Sequence, residues 1–310
     1  MQTILGAGGV IGIELARALT KYTSDIRLVA RHPQKVNEGD ETFQASLLDA
    51  KEVDNAVKGS EVAYLVAGLK YDAATWEHQW PLVMEHVITA CLKHKCRLVF
   101  FDNLYLYDEN LHNPITENSP VNPSSRKGIV RASIIDMLWQ AVMKKGLEAL
   151  VVRSADFYGP GIKQNSFLVE AVFKPLAKGE TANWLMRDDV LHSFTYTPDA
   201  AIATALLGNS NEAYGETWHL PTAEHPKNGK QWVEMIAKAL GVKPKYRVAG
   251  KWMMNILGFF NPIMKESIEM LYQYDRDYVF SSAKLEKRFG LKPTPYEVGI
   301  QVVAQEYLKK

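Results

Sequence analysis

A doubly wound parallel α/β sheet with a smaller C-terminal substrate lobe is the fold this chain predicts, and three observations predict it. Short apolar runs alternate with longer helical patterns from Met1 to Arg153, the order expected of a parallel sheet with helices on both faces. A glycine-rich turn joins the first apolar run to the first helical pattern. The chain also has 310 residues and 47% hydrophobic content, enough for a large core and a lobe besides. In such sheets the ligand lies in the crevice beyond the strand C-termini, and the lobe is expected to close over it.

The first strand is Met1 to Leu5, followed at once by Gly6-Ala7-Gly8-Gly9-Val10-Ile11-Gly12, a helix over Ile13 to Tyr22 and a second strand over Ile26 to Ala30. Gly6, Gly9 and Gly12 stand at G-x-x-G-x-x-G spacing. One glycine lets the strand turn sharply, one lets a pyrophosphate approach the backbone, and one lets the helix pack closely on the sheet. The helix N-terminus then offers unpaired N–H groups to phosphate. A tight turn needs glycine whether or not anything binds. The preceding strand and the apolar helix face of Ile11, Leu15, Ala18 and Leu19 are nevertheless the setting a dinucleotide fingerprint requires. Gly6, Gly8, Gly9, Val10, Ile11 and Gly12 are therefore cofactor-binding candidates. A site selecting NAD places an acid at the end of the second strand, for the ribose 2′-hydroxyl, whereas an arginine accommodates a 2′-phosphate. This chain has Arg31 there, with Lys35 close behind, which favours NADP(H) over NAD(H).

Thr42 to Gln44 reads as the third strand, and Asp49 as the cap of a helix over Ala50 to Lys58. The fourth strand leaves through Ala67 and Gly68, small residues suited to close passage by a cofactor. Ala74 to Lys95 is a long helix whose tryptophans read as core or dimer contacts. Leu98 to Phe101 is the fifth strand and continues as Asp102 to Tyr107. A loop over Asp108 to Ser125 leads to a helix over Arg126 to Lys145, and Ala149 to Arg153 is the sixth strand. Beyond it, Asn165-Ser166-Phe167 opens a helix, Trp184 to Arg187 forms a small strand, and Asp199 caps an alanine-rich helix. Glu216 to Leu220 is a strand and Gly229 to Leu240 a helix. The last seventy residues are rich in Met and aromatics; at helical spacing they read as core, with Trp252 to Phe260 as a short candidate for a membrane surface.

The glycine spacing, Asp156-Phe157-Tyr158-Gly159-Pro160 and the late Phe289 to Pro295 resemble the short-chain dehydrogenase/reductase superfamily, in its extended and atypical branch of epimerases and dehydratases. The resemblance implies a Rossmann fold. Residues 1–160 would form the dinucleotide-binding domain, to which 195–222 returns, with 161–194 and 223–310 as the substrate lobe. Placing Tyr107 on the family's tyrosine after the fifth strand puts Asn103 on its catalytic serine, and amide groups can still polarise an oxygen. The family's Tyr-x-x-x-Lys pair falls on Lys127 and Arg131, so the tyrosine is absent. Arg131 would clamp the nicotinamide ribose, and Lys127 would compete with Tyr105, Tyr107, Tyr158 and Asp156 for proton delivery. Ala155 and Phe157 would neighbour the nicotinamide, and Tyr107, Asp156, Tyr158, Asn165, His192 and Tyr196 would line the substrate pocket. Where relatives carry an adenine-facing acid this chain has Ser46. A homodimer through the helices Ala74 to Lys95 and Arg126 to Lys145 is also implied.

A net charge of +1 without a basic stripe argues against nucleic acid as a partner. Cys91 and Cys96 read as reduced core thiols, and His78, His86 and His94 are too widely spaced for a metal site. No apolar run reaches the length of a bilayer span and no secretory segment precedes the first strand, so the expected setting is cytoplasmic, with no membrane partner. Together these readings anticipate NADP(H)-dependent oxidation or reduction of a small carbonyl or hydroxyl compound, or epimerase-like chemistry. The alternative is an NAD(P)-binding sensor that has lost catalysis.

Overall fold

The computed structural model describes residues 1–110 and 113–308, with only the backbone of Leu257; Leu111 and His112 of the expected Asp108 to Ser125 loop lie outside the described residues. The chain divides into two compact units: Met1–Tyr107 with Val121–Ser154 and Ala200–Leu220, and Asp108–Pro120 with Ala155–Asp199 and Pro221–Lys310.

The first unit is built on β1 (Gln2–Leu5), α1 (Val10–Leu19), β2 (Ile26–Ala30), β3 (Glu41–Gln44), α2 (Ala50–Val57), β4 (Val62–Leu65), α3 (Ala73–His94), β5 (Arg97–Asp102), α4 (Arg126–Lys145), β6 (Ala149–Arg153), α5 (Thr197–Gly208, from Ala200 onward) and β7 (Thr217–His219). Its seven strands form one sheet in the order β7-β6-β5-β4-β1-β2-β3, every pairing parallel. Strands β1, β4 and β6 are buried on both faces; β4 and β6 are near-continuous apolar runs, whereas in β1 the buried Gln2 and Thr3 side chains are hydrogen-bonded to Asn209, Tyr64 and Ser60. The strand order reverses at β1, so the crevice beyond its C-terminus, where the glycine turn lies, is the topological switch point.

Helix α1 starts at Val10, three residues before its expected first residue, because Gly9 serves as the N-cap. Asp49 caps α2 by accepting from the Lys51 and Glu52 N–H groups at 2.9 Å. Ser125 caps α4, which ends at Gly146 in the left-handed conformation. Cys91 and Cys96 are both buried and reduced.

The second unit holds three two-stranded pairs: Asp156–Tyr158 with Phe194–Tyr196, Leu191–His192 with Lys227–Asn228, and Ala182–Leu185 with Tyr246–Ala249. Its core is aromatic, with Tyr158, Trp184, Phe194, Trp232 and Tyr296 in one buried cluster. Four sequence expectations change here. The helix expected from Asn165 begins at Leu168, because Asn165 takes a left-handed φ of 65° that a helix cannot include. The Trp184 to Arg187 strand is instead Ala182–Leu185, ended by Met186 at φ 55°. Asp199 lies inside the first turn of its helix rather than capping it, and accepts from the Thr294 N–H and hydroxyl at 2.6 and 2.8 Å. Burial raises its carboxyl above the ordinary range. Trp252 to Phe260, for which core and a short membrane-surface helix were the alternatives, is largely exposed, against the core reading.

Candidate functional site

The glycine turn separates its own roles. Gly6 has φ +95°, and a Cβ there would overlap the backbone of Ala67. A Cβ on Gly12 would stand 2.7 Å from the Ala7 Cα, so this glycine lets α1 lie against the turn. Gly9 differs: its backbone is ordinary extended chain (φ −90°, ψ 165°), and an added Cβ would meet nothing within 4 Å. The open space beside Gly9 sits at a helix N-terminus with no side-chain cap and no acid in its first turn. Its first N–H groups, those of Val10 and Ile11 among them, are thus left for a ligand. Gly8 has only the Ala30 methyl as neighbour, at 4.0 Å, and Gly68 after β4 also faces open space. Arg31 follows β2 directly and is exposed. Lys35 is exposed too, its ammonium donating to the Glu38 carbonyl at 3.0 Å.

Where β5 and β6 end, Asp102 and Arg153 stand side by side in register. The Asp102 carboxylate holds two guanidinium groups, Arg153 Nε at 3.2 Å and Arg131 Nε at 3.1 Å. Arg131, expected to clamp a ribose, is 5% exposed and lies under the rings of Trp80, Trp76 and Phe100 at 4.3, 5.1 and 5.4 Å. Burial pulls its pKa down while the Asp102 charge opposes that pull. Arg131 Nη1 is buried without a hydrogen-bond acceptor. A buried donor left in that state is matched when a ligand brings an acceptor. The residues therefore fit a dinucleotide: open space at Gly9, uncapped amides, and an orphaned guanidinium nitrogen.

One helical turn before Arg131, Lys127 is 0% exposed, its ammonium 4.6 Å from the Tyr71 ring centre. Trp76 stands edge-on to Tyr71 and stacks on Tyr105 at 6.1 Å. Asn103 is half-buried and its Oδ1 accepts from the Tyr105 N–H at 3.1 Å, so its Nδ2 is left to donate. Thus Asn103, Tyr105, Lys127 and Arg131 all fall in the first unit, on the chain after β5 and on α4.

Tyr107, expected in the substrate pocket, lies in the first unit. It is buried, and Arg153 Nη1 donates to its hydroxyl at 2.8 Å. The hydroxyl also hydrogen-bonds with His219 Nε2, at 2.7 Å, and so ties β6, β7 and the chain after β5 together. Tyr158 and Tyr196 likewise belong to the aromatic core of the second unit. Asn165 is exposed, Ala155 is buried with its N–H on the Thr195 hydroxyl, and Phe157 is half-buried.

Asp156 and His192 do meet. His192 Nε2 lies 3.2 Å from the Asp156 Oδ2, its Nδ1 3.0 Å from the Gln273 carbonyl, and its ring stacks on Tyr274 at 4.3 Å. The Tyr274 hydroxyl donates to the same Asp156 oxygen at 2.7 Å. Burial alone would raise the Asp156 carboxyl, but the hydrogen bonds and charge of His192, with the Tyr274 hydroxyl, hold it below the usual carboxylate range.

Sequence reasoning missed Asp102, Tyr71 and Tyr274, and assigned Trp76 only to core or dimer packing. A signal for Asp102 was present: an acid and an arginine each ending a strand beside one another invite an ion pair. No group of three His, Cys, Asp or Glu side chains able to hold a metal ion occurs among the described residues.

Solved structures of similar fold include the UDP-glucose 4-epimerase of Thermus thermophilus in complex with NAD, with 17% identity, 99% of each chain covered and a TM-score of 0.80. The UDP-glucose 4-epimerase of Thermotoga maritima with UDP-glucose has 16% identity, 100% of this chain and 99% of that one covered, and a TM-score of 0.82. The dTDP-glucose 4,6-dehydratase DesIV of Streptomyces venezuelae with NAD has 14% identity, coverage of 100% and 98%, and a TM-score of 0.80. No curated protein sequence matches the chain significantly. At these identities the likeness concerns the fold, but residues 3–220 match a family model, and the chain belongs to the NAD dependent epimerase/dehydratase family.

Proposed function

We propose that this protein is an NADP(H)-dependent oxidoreductase, or an epimerase-like enzyme, acting on a small carbonyl or hydroxyl compound. The observation that carries the reading is the open space beside Gly9 at the uncapped N-terminus of α1. The Gly8-Gly9 backbone with the Val10 and Ile11 amides would hold the phosphates, Ala67 and Gly68 would border the cofactor, and Arg131 Nη1 would donate to a ribose oxygen. Arg31 and Lys35 would receive a 2′-phosphate. When bound, the nicotinamide ring accepts or delivers a hydride.

The remaining roles belong to the chain. With its Oδ1 occupied by the Tyr105 N–H, Asn103 presents Nδ2 as the donor that polarises a substrate oxygen. Arg131 stays protonated and cannot shuttle a proton, so its part is binding and orientation. Lys127 and the Tyr105 hydroxyl are the groups here able to give one up. In the second unit, Asp156 and His192 form a hydrogen-bonded pair. The exclusion of water from Lys127, at 0% exposure, supports a second reading: a nucleotide-binding sensor in which this lysine is structural.

Two experiments divide these readings. Arg31→Ala should weaken NADPH binding by about tenfold or more, the worth of a charge-assisted phosphate contact, and leave NADH binding unchanged. Side-by-side fluorescence titrations measure it; an equal loss for both nucleotides would remove the 2′-phosphate assignment. Once a carbonyl substrate is found by screening, Asn103→Ala should lower kcat by about 10²- to 10³-fold and Lys127→Ala by about 10²-fold or more, with nucleotide affinity kept. Turnover untouched by both changes would show that the proton and the oxygen are handled elsewhere.

A further inference from the structure

In the second unit, Lys251–Phe260 and Pro262–Ser267 form a helical hairpin with an outward-facing apolar stripe. Trp252, Ile256, Phe259 and Phe260 follow the i, i+4, i+7, i+8 spacing of a single helix stripe, and they are 70%, 50%, 86% and 85% exposed. The turn carries the stripe onward to Ile263, also exposed. The opposite side of the first helix is its packed side. Met254 joins Ala249 and Leu271 in a small buried cluster, and Gly258 is so close to the second helix that a Cβ would stand 3.2 Å from the Lys265 Cα. Asn261 fixes the turn by accepting from the Ile263 and Met264 N–H groups. The exposed aromatics are thus not unsettled core: the helix already has a buried face, and this is a second apolar face, held outward by a capped turn. Isolated exposed apolar residues need no explanation, but a contiguous aromatic stripe marks an interaction surface.

Charge identifies what the surface fits. From Gly241 to Glu269 the chain carries Lys243, Lys245, Arg247, Lys251 and Lys265, all exposed, against two acids, Glu266 and Glu269, a local net charge of +3. A chain with a net charge of only +1 therefore has a local cationic excess around this stripe. Trp and Phe on one face, with lysines flanking them, is the composition of a helix that lies in the headgroup layer of an anionic bilayer. A helix of ten residues is about 15 Å long, half of a hydrocarbon core, and no helix among the described residues is long and apolar enough to cross a membrane. We propose that the Lys251 to Lys265 hairpin docks the protein on anionic lipid surfaces, with Phe259 and Phe260 inserted as its tip. This departs from the absence of a membrane partner expected from the sequence.

The test is co-sedimentation of the full chain with vesicles of phosphatidylcholine containing about 30 mol% phosphatidylserine, against phosphatidylcholine alone. The anionic vesicles should bind at least about tenfold more tightly, and that preference should collapse in about 0.5 M salt. Phe259→Ser with Phe260→Ser should reduce partitioning by about tenfold or more, and Lys251→Glu with Lys265→Glu should remove the anionic preference. All four positions are exposed, and unchanged melting of each variant would confirm that the fold is kept. Absence of binding to anionic vesicles would overturn the proposal, as would binding unaffected by both double variants. So would a dimer in light scattering that the phenylalanine variant dissolves in the absence of any lipid affinity, since the occupant would then be a second copy.

Discussion

Asp102→Asn is expected to destabilise the first unit by about 3–5 kcal/mol, lowering its melting midpoint on the order of 10 °C. The side chain changes by one heavy atom and no cavity forms. The charge, however, is the only carboxylate paired with both Arg131 and Arg153 among the described ion pairs, and both guanidinium groups are buried. The rings over Arg131 soften its burial but supply no counter-charge. Arg131→Met should cost less, because Asp102 and Arg153 would remain a balanced pair and a flexible thioether suits a pocket of Trp76, Trp80 and Phe100. The order of the two effects is thus the diagnostic, and circular dichroism melts measure it. A midpoint for Asp102→Asn within two or so degrees of the parent would mean that the two arginines find other partners. Arg131→Met has a further expected consequence, since it removes the orphaned Nη1: nucleotide binding should weaken although the fold persists.

The sheet was legible because its inner strands obey one rule. They are short apolar runs largely buried on both faces, with helical patterns between them, so their existence, type and order could be read from alternation alone. Element ends were less legible where a backbone special decides them. Gly9 moved the start of α1, and left-handed Asn165 and Met186 set boundaries that hydropathy does not encode. The site was legible as positions along the chain, not as partnerships. Lys127 and Arg131 were placed by the resemblance to the family's Tyr-x-x-x-Lys pair, but the burial of Arg131 under Trp76, Trp80 and Phe100 depends on α3 and β5 packing beside α4. The same limit explains Tyr107. An aromatic at a strand exit suits a pocket, and only the register of Asp102 with Arg153 turns its hydroxyl inward to His219. In the C-terminal hairpin, the helical spacing of apolar residues left core and membrane surface as alternatives, because an amphipathic pattern says which residues share a face and not what that face meets.

Gly9→Asp should abolish nucleotide binding while leaving the fold as stable as the parent or slightly more so. Of the four glycines of the turn, Gly9 is the one at the N-cap of α1, with an ordinary extended φ and nothing within 4 Å of where a Cβ would go. Aspartate is a preferred N-cap, its carboxylate can accept from the first turn of α1, and a negative charge at that end is favoured by the helix dipole; a gain of a few tenths of a kcal/mol is expected. The same substitution consumes the N–H groups that would receive a phosphate, occupies the space beside them and places one anion against another. Affinity for NADPH and NADH should therefore fall by about 100-fold or more, equivalent to roughly 2.7 kcal/mol. By contrast, Gly12→Asp would force a Cβ to 2.7 Å from the Ala7 Cα and should cost stability first, so loss of binding there would say nothing about a phosphate site. Fluorescence titration paired with a thermal melt separates the two outcomes. Binding of Gly9→Asp within a factor of about three of the parent would move the phosphates away from the helix N-terminus, and with them the dinucleotide reading of the turn.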